Sequence, residues 1–85
     1  MQKGIYAVYD NLAQCYPNDI FVGTCDGLVV RGFTNAVNDE KTDFCKAPED
    51  FVLHKLGEFN AQTGEFNIYN RPEVLLTGSS AKVVK

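Results

Sequence analysis

Short runs rich in β-branched and aromatic residues recur along this chain, separated by polar stretches that carry Pro, Gly, Asn and Asp. Such runs predict short strands. Residues 4–9 (GIYAVY) form the first, ended by Asp10-Asn11. Tyr16-Pro17-Asn18-Asp19 predicts a loop, because proline fixes its own φ and Asn and Asp favour turns. Residues 20–24 (IFVGT) predict a second short strand.

Residues 26–38 support two readings. Asp26-Gly27 sits between IFVGTC and LVVRGF, a hairpin signal, since a type I′ turn needs φ > 0 at both central positions. Val29, Val30, Phe33 and Val37 recur at helical spacing, with Ala36 beside them. In the helical reading Asp26 is the N-cap, accepting the free N–H groups of the first turn. Gly32 and the paired valines oppose it by about 1 kcal/mol or more.

Asn38 to Ala47 is polar and predicts a loop, with Phe44 as its anchor to the core and Cys45 beside that anchor. Pro48 pushes Ala47 out of the α region, so no helix crosses this point. Residues 51–59 predict the principal strand. Its apolar positions slip from odd (Phe51, Leu53) to even (Leu56), which a side-chain period of two forbids on one face. A β-bulge near Lys55–Gly57 resolves the conflict. Asn60-Ala61-Gln62-Thr63-Gly64 predicts a tight hairpin turn closed by a left-handed glycine. Glu65 to Tyr69 returns as the partner strand, which Arg71-Pro72 ends. Residues 73–77 predict a short turn or edge strand, and Gly78-Ser79-Ser80 opens a flexible C-terminal tail from about residue 78. The expectation is a single α+β domain over residues 1–85, with a small antiparallel sheet of about four strands.

Composition sharpens this picture. A chain of 85 residues makes one domain, and six Phe and four Tyr are available to fill its core. So short a chain is marginal in stability, and a homodimer would bury more surface. The net charge of −3 opposes a domain that holds nucleic acid mainly by its phosphates. Acids cluster between Asp39 and Glu65, whereas Arg71, Lys82 and Lys85 make the last stretch basic and permit a DNA-contacting tail. Cys15, Cys25 and Cys45 form no CxxC pair, and no secretory or membrane-spanning segment is evident. A reduced, cytosolic protein with free thiols follows.

No catalytic motif stands out. His54, the only histidine, neighbours Val52 and Leu56 on its predicted strand, not acids, and reads as a structural or surface histidine. The cysteines lack zinc-ligand spacing. The calcium loop, the dinucleotide fingerprint and the P-loop are absent. Neither metal nor cofactor is expected, and the chain reads as non-enzymatic. Aromatics on strands remain: single-stranded nucleic acid is often bound by stacking bases on such rings beside basic residues. The candidate residues are Tyr6 and Tyr69, whose hydroxyls tolerate solvent, with Lys3, Lys55 and Arg71. The competing reading is that most rings fill the core.

One further pattern carries a family resemblance. Ile5-Tyr6-Ala7-Val8-Tyr9-Asp10, Arg31-x-Phe33, Ala36-Val37-Asn38-Asp39, Pro48-Glu49-Asp50-Phe51, Leu53, Leu56-Gly57-Glu58-Phe59 and Thr63-Gly64 together resemble the small non-structural protein of gokushovirus-type microviruses, single-stranded-DNA phages of bacteria. The resemblance favours the helix, at about 27–37, packed on the sheet. It implies a non-enzymatic accessory protein of phage DNA replication, engaged in single-stranded genome synthesis in the host bacterial cytoplasm. The implied partners are single-stranded DNA or phage and host replication proteins. The alternative is a protein–protein interaction module working through a sheet edge or dimer face. A capsid-associated component is the third class.

Overall fold

In the computed structural model, which describes residues 2–82, the two N-terminal runs and the long hairpin of the second half join into one antiparallel sheet. Strands β1 (Gln2–Asp10), β2 (Phe21–Gly23), β3 (Phe51–Asn60) and β4 (Phe66–Thr77) lie in the order β2-β1-β3-β4. Helix α1 (Asp26–Val37) crosses one face, joined by the one-turn helices α2 (Asp43–Lys46) and α3 (Gly78–Ala81) and a 3₁₀ turn over Pro48–Asp50. The α+β class and the helix are as expected, and the hairpin reading of 26–38 is excluded. No described helix is long and apolar enough to cross a membrane.

Registers sort the side chains into two faces. Partners across the sheet share a face, and successive residues alternate. Tyr6, Val8, Phe51 and Leu53 point toward α1, where they meet Phe33, Val37 and Ala81 in the core, with Phe44 packed against it. Phe44 therefore anchors its segment as predicted, ring to ring with Phe51 at 4.7 Å. No described helix covers the opposite face.

The predicted bulge is present. Ile5 pairs with Gly57 and Tyr6 with Lys55, so Leu56 is the extra residue on β3. Below the bulge Phe51 and Leu53 face the helix, and above it Gly57 and Phe59 face away. A Cβ at Gly57 would collide with the backbone of Asn67 and Ile68. At the hairpin turn Gly64 has φ 81°, and Asn60 Oδ1 accepts the Gln62 N–H at 2.9 Å.

Three local expectations are corrected. The polar connector 38–47 contains α2, because Thr42 Oγ1 accepts the Cys45 N–H at 3.2 Å and caps it. Strand β4 does not end at Arg71-Pro72; pairing resumes at Glu73 and runs to Thr77 opposite Val52. The stretch expected as a flexible tail from about 78 begins with α3, capped by Thr77, with Gly78 and Ala81 buried. Asn38 Nδ2 donates to the carbonyls of Thr34 at 2.8 Å and Ala81 at 3.0 Å, which ties α3 to the end of α1. Lys85 lies outside the described residues.

Candidate functional site

Three of the five candidate residues converge where α1 begins. Cross-strand partners Gly4 and Gly23 leave room for the Tyr6 ring, since a Cβ at either position would meet it. The ring is fully buried, at 0 % exposure. Its hydroxyl donates to Asp26 Oδ1 at 2.5 Å. The same carboxylate oxygen holds Lys55 Nζ at 3.0 Å, and that ammonium lies 6.0 Å from the Tyr6 ring centroid. Tyr69 donates to Glu58 Oε1 at 3.0 Å. Asp26 is therefore not the helix N-cap: Cys25 holds that position, and the carboxylate is committed to Tyr6 and Lys55.

The charges at this corner support one another. The Tyr6 hydrogen bond holds Asp26 below the usual carboxylate range; burial opposes it and Lys55 reinforces it. Burial, followed by the Asp26 hydrogen bond, drives the Tyr6 phenol well above its ordinary value. Burial pulls the Lys55 ammonium down, and the Asp26 carboxylate, followed by Tyr69 and Glu58, more than reverses this, so the net direction is up. Burial and the bond to Glu58 raise Tyr69.

This geometry revises the role expected for the candidates. Tyr6 has no free face on which to stack a base. Lys55 is ion-paired, with Glu58 and its cross-strand partner Glu73 nearby, so carboxylates outnumber the ammonium that would meet a phosphate. Tyr69 is half-buried on the same face. Lys3, paired with Phe59, lies on the opposite face. Arg71 is exposed, in the stretch between paired residues Ile68 and Glu73. The basic residues are thus dispersed rather than gathered beside exposed rings. Lys82 Nζ is 2.8 Å from Cys45 Sγ, and all three cysteines are free.

Sequence reasoning missed the open face of the sheet. One row crosses all four strands: Val22, Ile5, Gly57 and Ile68. Phe66 is 65 % exposed, Ile68 59 %, Val74 57 % and Val22 51 %. Lys3 is the single formal charge among the paired residues of this face. The alternating Phe66, Ile68 and Val74 were the available signal, obscured by the assumption that Arg71-Pro72 ended the strand. Toward the other end of this face, Tyr16 folds back from the 11–20 loop. Its hydroxyl meets His54 Nδ1 at 2.8 Å, and Tyr9 stacks on the imidazole at 5.4 Å. Burial lowers His54. No carboxylate or thiol completes a nucleophile–base arrangement there among the described contacts, and no group of described His, Cys, Asp or Glu could hold a metal ion.

A four-stranded antiparallel sheet, with helices on one face and an apolar open face on the other, defines a small α+β protein. A family model described as Phage ORF5 protein matches residues 3–81, and the chain belongs to that family of phage proteins. No curated protein and no solved structure matches the chain.

Proposed function

We propose that the chain is a non-enzymatic accessory protein of phage DNA replication that binds a protein of the phage or host replication machinery through its open sheet face. The phage family and the resemblance to microvirus non-structural proteins support the setting. The observation carrying the mode of action is the face itself: Phe66, Ile68 and Val74 on β4 and Val22 on β2 are exposed, and Lys3 is the single formal charge among the paired residues of the face. Exposed large apolar residues gathered on one face mark interaction sites, and paired residues with one ammonium among them supply little to hold phosphates. The acidic surroundings of Lys55 favour the same reading over direct DNA binding.

Affinity capture from infected cells tests it, with the wild-type chain beside Ile68→Glu. The expected result is recovery of a replication protein by wild type and its loss with the variant. Recovery of capsid components instead, or of no replication protein, overturns the proposal. So does salt-sensitive binding of labelled single-stranded DNA that Ile68→Glu leaves unchanged.

A further inference from the structure

The helix-bearing side of the sheet carries a second surface, independent of the open face. A pocket of about 280 Å³ opens between α1, β2 and the loop before β2. Its walls are Val8, Phe21, Val29, Phe33 and Phe44, and Gly32 forms part of its mouth. A Cβ at Gly32 would meet nothing within 4 Å. Glycine at this mid-helix position costs about 1 kcal/mol relative to alanine, and its missing side chain leaves the pocket open. Beyond Phe44 and Asn18, which border both, a second depression of about 390 Å³ continues the groove past Phe51.

The rim is acidic. Asp19 borders the apolar pocket, and Asp10 and Asp43 border its continuation, against Lys41 alone. Asp10 Oδ1 accepts the N–H groups of Leu12 and Ala13. An apolar slot with carboxylates on its rim is complementary to a segment with an apolar anchor and flanking cations. It repels a phosphate backbone.

We propose that this groove docks a short basic amphipathic peptide segment of a partner protein, with one large apolar side chain in the pocket lined by Val29, Phe33 and Phe44 and Lys or Arg side chains against Asp19 and Asp43. The anchor gives affinity by leaving water, and the rim sets orientation and partner choice. The occupant is distinct from whatever meets the open face, so the chain has the geometry of a bridge between two partners.

The test uses the full chain, isotope-labelled, titrated with an amidated peptide of about a dozen residues whose leucines recur one helical turn apart between lysines. A second peptide has every lysine replaced by glutamate. The expected result is binding that weakens with salt, with amide shifts centred on Val29, Gly32, Phe33 and Phe44. The glutamate peptide should bind at least about tenfold more weakly. Gly32→Leu adds a side chain at the pocket lining from a position whose Cβ meets nothing within 4 Å; it should keep or raise the melting temperature and lose about tenfold or more in affinity. Asp19→Lys should weaken the lysine peptide. Equal binding of both peptides, unchanged affinity in a folded Gly32→Leu, shifts centred on Phe66 and Ile68, or a single-stranded oligonucleotide competing for the same amides would overturn the proposal. Ile68→Glu should leave this titration unchanged, so failure here and failure at the open face are separable.

Discussion

The Tyr6 hydroxyl donates to Asp26 at 2.5 Å across a sequence gap of 20 residues, and it fixes where α1 starts on the sheet. Tyr6 is fully buried whereas Asp26 still reaches solvent and Lys55. The two partners are therefore unequal. Asp26→Ala strands a buried hydroxyl and should cost about 1–3 kcal/mol. Tyr6→Phe leaves a carboxylate that water and Lys55 still serve, and should cost only about 0.5–1.5 kcal/mol. Urea unfolding of the two single variants and the double variant measures this order. A larger loss for Tyr6→Phe than for Asp26→Ala would refute the arrangement.

Room for that phenol comes from the paired glycines. Gly23→Ala should push Val29 Cγ2 and the Tyr6 ring apart, because the added methyl would overlap both. Overpacking of this kind costs about 1–3 kcal/mol. The loss should shrink when Tyr6→Leu is already present, since part of the obstacle is gone. Additive losses in a double-mutant cycle would place the clash elsewhere.

Much of this architecture was legible in the residues. The slip from Leu53 to Leu56 demanded a bulge, and Leu56 is the extra residue. Gly64 had to be left-handed to close its turn, and Phe44 was the only large apolar side chain in its polar segment. Tyr6 is buried rather than exposed for a physical reason: a hydroxyl tolerates solvent but also tolerates burial when a partner exists, here Asp26. Gly4 and Gly23 hinted at a ring lying over them, but only register shows that they pair. The one-turn helices are set by Thr42 and Thr77 caps, signals too short to separate from turns. Gly78-Ser79-Ser80 has the composition of a linker; the burial of Gly78 and Ala81 is a tertiary fact. The open face was hidden because Arg71-Pro72 looked like a strand end.

The lone histidine gives a pH signature. Burial holds His54 below its ordinary value of 6.5, so the unfolded chain binds the proton more readily. Its contribution to stability is complete above about pH 6.5 and is lost progressively as pH falls below that value. Unfolding midpoints in urea should decline between about pH 7.5 and 5, and His54→Gln should flatten the decline. Asp26 acts separately: its lowered value gives stability that is present above pH 3.8 and lost on further acidification. A midpoint that rises on acidification from neutrality would contradict the environment assigned to His54.

The two residues that flank Gly57 in one cross-strand row, Ile5 and Ile68, should respond unequally to substitution. Ile5 is 2 % exposed between neighbouring strands, and truncation to alanine should cost about 2–5 kcal/mol. Ile68 lies on the same face of the outermost strand and is largely exposed. In the isolated chain Ile68→Ser should change stability by no more than about 0.5 kcal/mol, as for an ordinary surface site. Thermal melts over a range of concentrations distinguish this from self-association. If copies of the chain already cover the face, the wild-type midpoint rises with concentration and Ile68→Ser removes the rise. If the face awaits a different protein, both midpoints stay constant, and the effect of Ile68→Ser appears only when that protein is added.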